Sequence, residues 1–408
     1  MWYKKTICFL SIVFFLLSQV ALIQAEEIDS LLKKLVDKKV ISSLEAKAIK
    51  NKNKADVAIV MKDDKSNSLP AWVKKMKFTG DFRLRYQHDN KIFENKTKNR
   101  FRIRARLGAA ARVNEKTTVS MGFCSGSDDP RSSNQSLEDG FSTKAINLDY
   151  AYAAYKIFPD LTAYAGKIKI KKALWRVSDL IWDGDINPEG FSALYRKDNL
   201  FVRSGYFVLG NADYNTKLAG MFYAQPGFKF KINGTQKLKA SLNLYMFQAL
   251  SDPFKGSANT NSYNGQNKFA YDYDSAGFSF DYGIKNPLNG LPYISVFADY
   301  LTNFSENVPD DQKDGYLLGI KFGDKKIKKA NQWQAKVMYR HLEKNACLDS
   351  LPDSDAYDGS TGIKGWEIIY AYGIAKNLSV GLDCYLMQQI NGPEQERSLW
   401  QLDFNYKF

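Results

Sequence analysis

Six arginines in two neighbouring segments form the most concentrated charge pattern in the sequence. They occupy alternate positions, so in an extended strand their side chains point to one face. They are Arg83, Arg85, Arg100, Arg102, Arg104 and Arg106. A guanidinium group stays charged at physiological pH, so such a row attracts anions and does not transfer protons. We predict that this face either contacts water and anions or pairs with carboxylates, because the like charges otherwise repel one another.

Segment 171–190, KKALWRVSDLIWDGDINPEG, is the best candidate for an acidic partner of the arginines. It breaks the strand alternation and carries Trp175, Leu180 and Trp182, which an external loop has little reason to carry, so we expect it to pack against an inner wall. The side chains of this segment that are expected at a constriction are Arg176, Asp179, Asp183, Asp185 and Glu189. Segment 125–143 is a second candidate for a loop that folds into the lumen, with Arg131 and its turn residues lining the mouth. Lys237 and Lys239 add cations on the same face of a later strand.

Enzymatic residue patterns are missing from the sequence. Of the two histidines, His88 ends the first alternating segment and His341 shares an outward face with Val337 and Tyr339, so neither is predicted beside a nucleophile. The sequence has no Gly-rich phosphate loop and no G-x-S-x-G motif. Its cysteines lack zinc-site spacing, and DDP and DGD lack EF-hand spacing. We expect no catalytic residue, no metal and no cofactor.

The final residues, 398–408, show what kind of element positions these charges. Trp400, Leu402, Phe404, Tyr406 and Phe408 occupy one face of a strand, and polar or charged residues occupy the other. This pattern suits a surface between hydrocarbon and water, and about 9–11 tilted residues cross a bilayer as a strand. A soluble all-β protein could contain one such strand, so the interpretation depends on whether the pattern recurs.

The pattern recurs from Met76 to the end of the chain, in about sixteen segments. Their predicted centres lie near residues 82, 105, 121, 150, 165, 193, 204, 224, 242, 276, 297, 318, 337, 368, 382 and 403. In the segment near 150, Ile146, Leu148, Tyr150 and Tyr152 are predicted to share one face, opposite Asp149 and Asn147. Repetition favours an all-β fold, a transmembrane antiparallel up-and-down β-barrel, over a soluble sandwich. A barrel of this size has an interior too wide to be filled by side chains.

Connections of two lengths separate the predicted strands. Short links at 113–116, 158–160 and 197–199 are expected to be tight turns. Longer segments near 125–143, 249–268, 302–314 and 343–362 are expected to be external loops or to fold into the barrel.

The residues before the barrel differ in kind. Residues 1–25 combine Lys4 and Lys5 with an apolar run, which is typical of a secretory signal peptide; an uncleaved anchor is the alternative. Residues 26–52 are predicted to form a helical periplasmic segment, in which Ser42 and Glu45 make a capping box. Residues 53–75 are a polar linker, and 76–408 form the barrel.

The composition agrees with an exported barrel. Mean hydropathy is −0.40 although aromatic residues make up 14% of the chain, as expected where half of each strand is polar. The formal charge of +14 falls to +12 without Lys4 and Lys5. Because export argues against nucleic acid as a partner, anionic solutes or lipopolysaccharide are the expected partners of this basic chain.

Several runs resemble the family of putative Gram-negative porins. They are FTGDFRLRYQ (78–87), NRFRIRARLGAAARVN (99–114), GSDDPRSSNQSL (126–137), KAINLDYAYAAYK (144–156) and SDLIWDGDINPEGFSALY (178–195). The resemblance covers about 76–408 and weakens after 200, except at the last strand. It implies an outer-membrane diffusion channel, with an assembly that is trimeric as in many large porins, but it does not supply a substrate. The charges predicted in the lumen favour small anionic or neutral solutes.

The resemblance also implies that the terminal strand, which ends in Phe408, is an assembly signal read by the barrel assembly machinery. The arginine row, facing an acidic loop folded into the lumen, predicts a weak preference of the channel for anions. A surface adhesin or structural barrel without transport is the alternative. A transporter with a folded plug is a third possibility, but residues 26–72 are too few for a plug domain.

Overall fold

The computed structural model describes residues 36–38, 42–45, 76–210, 217–250, 253–266, 268–392 and 395–408. The chain divides into two units, Met1–Lys74 and Lys75–Phe408. The predicted signal peptide (1–25), most of the predicted helical segment (26–52) and the predicted linker (53–75) lie outside the described residues.

In the first unit, the capping box predicted at Ser42 is confirmed. The Ser42 amide donates to the Glu45 carboxylate (2.7 Å), and the Glu45 amide donates to Ser42 Oγ (3.1 Å). The two side chains thereby satisfy free amides at the start of a helical turn.

The second unit is a closed antiparallel barrel of sixteen long strands, which confirms the predicted fold class. The strands are β1 (Lys77–Lys91), β2 (Lys96–Arg112), β3 (Thr117–Ser125), β4 (Gln135–Ser136), β5 (Ile146–Phe158), β6 (Leu161–Lys167), β7 (Glu189–Lys197), β8 (Leu200–Val208), β9 (Gly220–Lys231), β10 (Gln236–Gln248), β11 (Ser275–Leu288), β12 (Leu291–Asn303), β13 (Asp314–Gly323), β14 (Trp333–Leu342), β15 (Ile363–Ala375), β16 (Leu378–Gln389) and β17 (Arg397–Lys407). All except the two-residue β4 belong to the wall. A short helix, α1 (Ile170–Ala173), and two 3-10 turns, Ile92–Glu94 and Tyr357–Gly359, lie in loops.

The barrel closes where β17 pairs with β1. Phe82 lies opposite Tyr406, and Arg85 lies opposite Asp403, so the apolar faces and the charged faces of the two strands coincide. Beyond β17, Phe408 exchanges two backbone hydrogen bonds with Gly80 (2.8 and 3.0 Å). A Cβ at Gly80 would come within 2.4 Å of the Phe408 ring, so a glycine is required for this ring to lie against the wall.

The two faces of the wall differ sharply in exposure. Arg85 is 3% exposed and Gln401 is fully buried, whereas Phe101 is 55% exposed and Trp400 43%. The apolar face of each strand therefore points out of the barrel and the polar face points in. All sixteen predicted centres fall within observed strands, and the three short links are tight turns as predicted.

One strand departs from the predicted alternation. We expected Tyr150 and Tyr152 to share the outer face with Leu148, but a bulge opposite Gly122 and Phe123 shifts the register of β5. Leu148 remains 48% exposed, while Tyr150 and Tyr152 are only 5% and 7% exposed. The prediction for these two tyrosines is wrong because the extra residue of a bulge reverses the faces that follow it.

The two ends of the barrel differ in their connections. At the short-turn end, most connections have two to four residues, and the longest is turn 324–332. At the long-loop end, four long segments connect the strands, at 126–145, 168–188, 249–274 and 343–362. Among the described residues, no helix has the length and apolar character needed to span a bilayer.

A charge on the outer face of β17 should prevent stable folding. In Leu402→Arg, the guanidinium would face hydrocarbon, and we expect a loss of about 2–4 kcal/mol in the free energy of unfolding. Urea unfolding in lipid vesicles, followed by gel mobility of unheated samples, measures this change. The matched control is Ser379→Arg on the inner face of β16, opposite Gly373 and Asn405, which should fold normally. A normal yield of folded barrel from Leu402→Arg, with a loss in the control, would show that the faces are assigned in reverse.

Candidate functional site

Loop 168–188, which we call the lumenal strap, leaves β6 and crosses the interior before it enters β7. Its apolar side chains pack on the inner wall, including strands β8 and β10. Leu174 and Leu180 are buried, and Trp182 lies edge-on to Phe207 of β8, with ring centroids 6.2 Å apart. This apolar contact agrees with the expectation that the tryptophan-rich segment packs inside the barrel.

Hydrogen bonds from the wall fix the backbone of the strap. Gln225 of β9 brackets Trp175: its Oε1 accepts from the Trp175 amide and its Nε2 donates to the Trp175 carbonyl, both at 2.8 Å. The Tyr223 hydroxyl donates to the Ala173 carbonyl (3.0 Å). Asp299 of β12 accepts from the Ser178 amide (3.1 Å). Because buried backbone groups need partners, these wall side chains determine where the strap can lie.

The charged residues predicted at the constriction are distributed around the lumen. Asp185 pairs with Arg106 (3.1 Å), as expected for a residue facing the arginine row. Asp179 instead pairs with Arg340 of β14 (3.0 Å). Arg176 donates to the carbonyls of Ser178 and Trp182 in its own loop.

The last two predicted constriction residues make local contacts. The Asp183 carboxylate accepts from the Ser354 amide (2.9 Å), and Glu189, the first residue of β7, pairs with Lys167 (2.8 Å). The strap therefore contacts the arginine row mainly through Asp185.

A second loop, 343–362, also folds into the lumen. Leu348 and Asp349 are fully buried, and Asp183 of the strap donates its amide to the Leu351 carbonyl (2.7 Å). The loop brings Asp353 to Arg340, whose Nη2 lies 3.0 Å from Asp179, 3.3 Å from Asp353 and 2.9 Å from Glu367. One guanidinium group thus forms ion pairs with three carboxylates, which belong to the strap, to loop 343–362 and to β15.

The part of loop 126–145 that contains β4 is the third inward segment. Arg131 is 5% exposed and donates to the carbonyls of Asp349 (2.9 Å) and Gly359 (3.2 Å). Ser133 donates to Asp185 through its hydroxyl (2.8 Å). The three inward loops therefore hold one another as well as the wall.

Carboxylates and amides surround most of the arginine row. Arg85 pairs with Asp403 (2.7 Å) and Asp355 (2.9 Å), and Arg83 contacts Asp403 (3.5 Å) and Asn134. Arg104 and Arg106 both pair with Asp81 (2.9 Å each), and Arg102 donates to Gln87 (3.3 Å).

Arg100 has no carboxylate within ion-pair distance among the described residues. Arg102, which donates to an amide, also lacks such a carboxylate among the described residues. Carboxylates of the wall and the inward loops therefore neutralise the other four arginines of the row, Arg83, Arg85, Arg104 and Arg106.

The two predicted lysines have different surroundings. The Lys239 ammonium lies 3.9 Å above the Trp175 ring and 4.6 Å from the Phe201 ring, which is a cation–π contact. Lys237 lies opposite Lys231 in the strand register. Among the described residues, neither lysine has a carboxylate within ion-pair distance.

Two cavities of the lumen lie between the strap and the wall formed by β1, β2, β3 and β5. A cavity of about 340 Å³ opens there. Its charged lining residues are Asp81, Arg106, Asp149, Lys169, Lys171 and Asp185. A second cavity, of about 370 Å³, shares Thr79, Tyr150 and Lys169 with the first and continues toward the short-turn end. Its aromatic and charged lining residues are Lys77, Tyr150, Tyr152, Tyr164, Lys169 and Lys172.

Loop 343–362 contains two carboxyl groups with opposite pKa shifts. Burial and the nearby Asp179 raise the pKa of Asp353 to about 7, because Arg340 cannot compensate three carboxylates at once. Although burial opposes it, the Arg85 guanidinium holds the pKa of Asp355 well below its usual range. Asp353 therefore favours the folded loop in its protonated form, and Asp355 favours it as the anion.

Sequence reasoning missed the cluster around Arg340. Loop 343–362 carries Cys347, Leu348 and Leu351, the same apolar signal that identified the strap, and that signal could have identified this loop as inward-folded. The pairing of Asp403 with Arg85 could not be read from local spacing, since it depends on barrel closure. The pairing of Asp81 with Arg104 and Arg106 depends on the register of the β1–β2 hairpin. His88 and His341 lie on the outer side, beside Asn99 and Tyr316 respectively.

The stability of the barrel should depend on pH through Asp353. The pKa of Asp353 is raised in the folded state. Its favourable contribution to the free energy of unfolding is therefore complete below about pH 4 and is lost as the pH rises through about 7. In Asp353→Asn, we expect the free energy of unfolding relative to wild type to increase by about 1–3 kcal/mol between about pH 5 and about pH 8. Urea unfolding in detergent at the two pH values measures this difference.

Asp355→Asn is the matched control for that experiment. Because the pKa of Asp355 is lowered, its contribution is present above about pH 4 and is lost on acidification, so this variant should be the less stable one at neutral pH. The same pH trend in both variants would contradict the assigned protonation states.

The comparisons with known proteins agree with this geometry. Residues 93–283 and 293–408 match the family described as "Putative porin". A solved structure of OprB from Pseudomonas putida, at high pH, is similar with a TM-score of 0.56 and 13% identity, over 82% of this chain and 95% of that chain. A triple mutant of the Rhodopseudomonas blastica porin aligns with a TM-score of 0.46 and 11% identity, over 82% of this chain and all of that chain.

No curated protein matches the chain significantly. The family match spans well over half of the chain, and the OprB likeness supports the same barrel fold. The chain belongs to the "Putative porin" family and forms an outer-membrane β-barrel channel.

Proposed function

We propose that this channel allows passive diffusion of small hydrophilic solutes with a weak preference for anions. The observation that carries the preference is the unequal pairing of charges along the lumen. Arginines near the strap are paired with carboxylates, whereas most basic side chains toward the short-turn end are not.

The first cavity supports a passage with a transverse field. Arg106, Lys169 and Lys171 contribute positive charge, and three aspartates, including Asp81 and Asp185, contribute negative charge. Opposite charges on facing walls order water and polar solutes without a strong net attraction for either sign. This cavity is suited to neutral and weakly charged hydrophilic solutes.

The second cavity supports the anion preference. It is lined by Lys77, Lys169 and Lys172, and none of the described residues that line it carries a carboxylate. Positive charge in a narrow space between low-dielectric walls raises the local concentration of anions. Since solutes that pass the strap then meet this cationic section, we expect anions to cross more readily than cations.

Reversal potentials in a salt gradient test this proposal. We expect wild type to prefer chloride over potassium, and Lys77→Gln/Lys169→Gln/Lys172→Gln to shift the potential toward cations, because the three lysines that line the second cavity are removed. Planar-bilayer recordings of purified protein provide the measurement. An absence of current steps from folded protein would favour the adhesin or structural-barrel alternative.

The matched control removes three lysines from the same end but outside the lumen. Lys116→Gln/Lys197→Gln/Lys376→Gln changes exposed side chains in or beside the short turns. If this control shifts the potential as much as the lumenal triple variant, the preference does not arise from the lumen.

We also propose that the barrel assembles as a homotrimer through the outer face of β5 to β8. Ala153, Ala163, Ala165 and Ala193 line a shallow groove of about 430 Å³ on this face. Small side chains let neighbouring membrane segments approach closely.

In Ala163→Trp, the bulky ring should fill the groove, and native mass spectrometry should detect mainly monomers. Leu242→Trp, on an outer face away from the groove, should leave the trimer intact. Equal trimer fractions in both variants would place the interface elsewhere.

A further inference from the structure

The strand register brings lysines together on the inner wall of β9 to β14 near the short-turn end. Lys231 lies directly opposite Lys237, and Lys229 lies opposite Lys239. Three strands further along, Lys321 lies opposite Lys336. We call the whole set the lysine collar: Lys229, Lys231, Lys237, Lys239, Lys285, Lys321, Lys325 and Lys336.

The lysine collar is poorly compensated. Like charges directly opposite each other on neighbouring strands are destabilising. Asp281, opposite Lys239, is the one carboxylate that the register of the described residues places among these lysines. The lysine ion pairs of the described residues involve other side chains, namely Lys91, Lys96, Lys167, Lys255 and Lys313. The collar therefore carries a large excess of positive charge that faces the lumen.

Turn 324–332 contributes Lys325 to the collar. Gln332 accepts from the amides of Lys328 (2.7 Å) and Lys329 (3.0 Å), and the Asp324 carboxylate accepts from the Trp333 amide (3.0 Å). The Asn331 amide donates to the Gly373 carbonyl (2.9 Å), which ties the turn to β15. The longest turn at this end is thus held by its own hydrogen bonds and by the wall.

The fixed turn directs Lys325 back toward the mouth of the barrel. Its ammonium lies 4.8 Å from the centre of the Tyr293 ring, and the Lys321 ammonium lies 5.3 Å from the same ring. The ring itself lies along the wall over Gly283, where an added Cβ would come within 2.1 Å of the Tyr293 hydroxyl. One aromatic face therefore gathers ammonium groups from the wall and from the turn.

We propose that the lysine collar is a binding site for soluble multivalent phosphate anions, such as di- and triphosphate groups. An ammonium is a compact charge with three donors, and it suits phosphate without requiring the planar geometry of a carboxylate. A multivalent anion can contact several of these lysines at once and relieve their mutual repulsion, which a single chloride cannot do. The proposal rests on the proposed channel, because the collar is reached through the lumen.

Current block by inorganic triphosphate tests the site. In bilayers of zwitterionic phosphatidylcholine, triphosphate added to one side should reduce the single-channel current at concentrations at which sulfate of equal ionic strength does not. Lys321→Gln/Lys325→Gln should raise the half-blocking concentration about fivefold, as expected when two solvent-exposed ion pairs are lost. Lys116→Gln/Lys376→Gln removes two charges from other turns and should leave it unchanged.

Three results would overturn the proposal. The first is equal block by triphosphate and sulfate, and the second is an equal half-blocking concentration in the two double variants. The third is a collar variant that loses affinity for phosphatidylglycerol nanodiscs but is still blocked by triphosphate, because the lysines would then bind lipid headgroups. The wild-type reversal potential is recorded in the same bilayers. A wild-type channel that prefers anions but is not blocked by triphosphate rejects the collar site alone, whereas a channel without anion preference rejects the proposed function.

Discussion

The lumen of this barrel is organised by the need to compensate buried charge. Strands β1 and β2 place arginines side by side, with Arg83 opposite Arg104 and Arg85 opposite Arg102. Such neighbours repel one another unless carboxylates or water surround them. Asp81 and Asp403 supply part of the compensation from the wall itself, and the inward loops supply the rest through Asp185 and Asp355, so the arginine row and the loops stabilise one another.

The same constraint explains why the passage lies on one side of the lumen. On the side of β8 to β13 the strap is packed by apolar side chains and held by hydrogen bonds to Gln225 and Asp299. On the side of β1 to β5 it contacts the wall through Asp185 and Asn187, and the two cavities lie between these contacts. Toward the short-turn end the compensation by carboxylates ends, and the lysines that remain give the lumen its positive character.

Local periodicity was sufficient to predict the wall. Alternation predicted the barrel and its strand count, because the pattern of each strand depends only on the side-chain period of two. It failed at Tyr150 and Tyr152, where a single bulged residue reverses the faces. It also could not assign Asp403 to Arg85 or Asp179 to Arg340, since these pairs join residues distant in sequence through barrel closure and loop folding. The lysine collar was equally hidden, because it appears only when the register of six strands is known.

Anomalous diffraction from crystals soaked in sodium bromide tests most directly whether compensated arginines and uncompensated lysines divide the lumen. Bromide reports where an anion is stabilised, independently of transport. We expect bromide beside Lys237, Lys321 and Lys325 and none between Arg104 and Asp81. Bromide bound between Arg104 and Asp81, with the lysine collar empty, would contradict this division of the lumen.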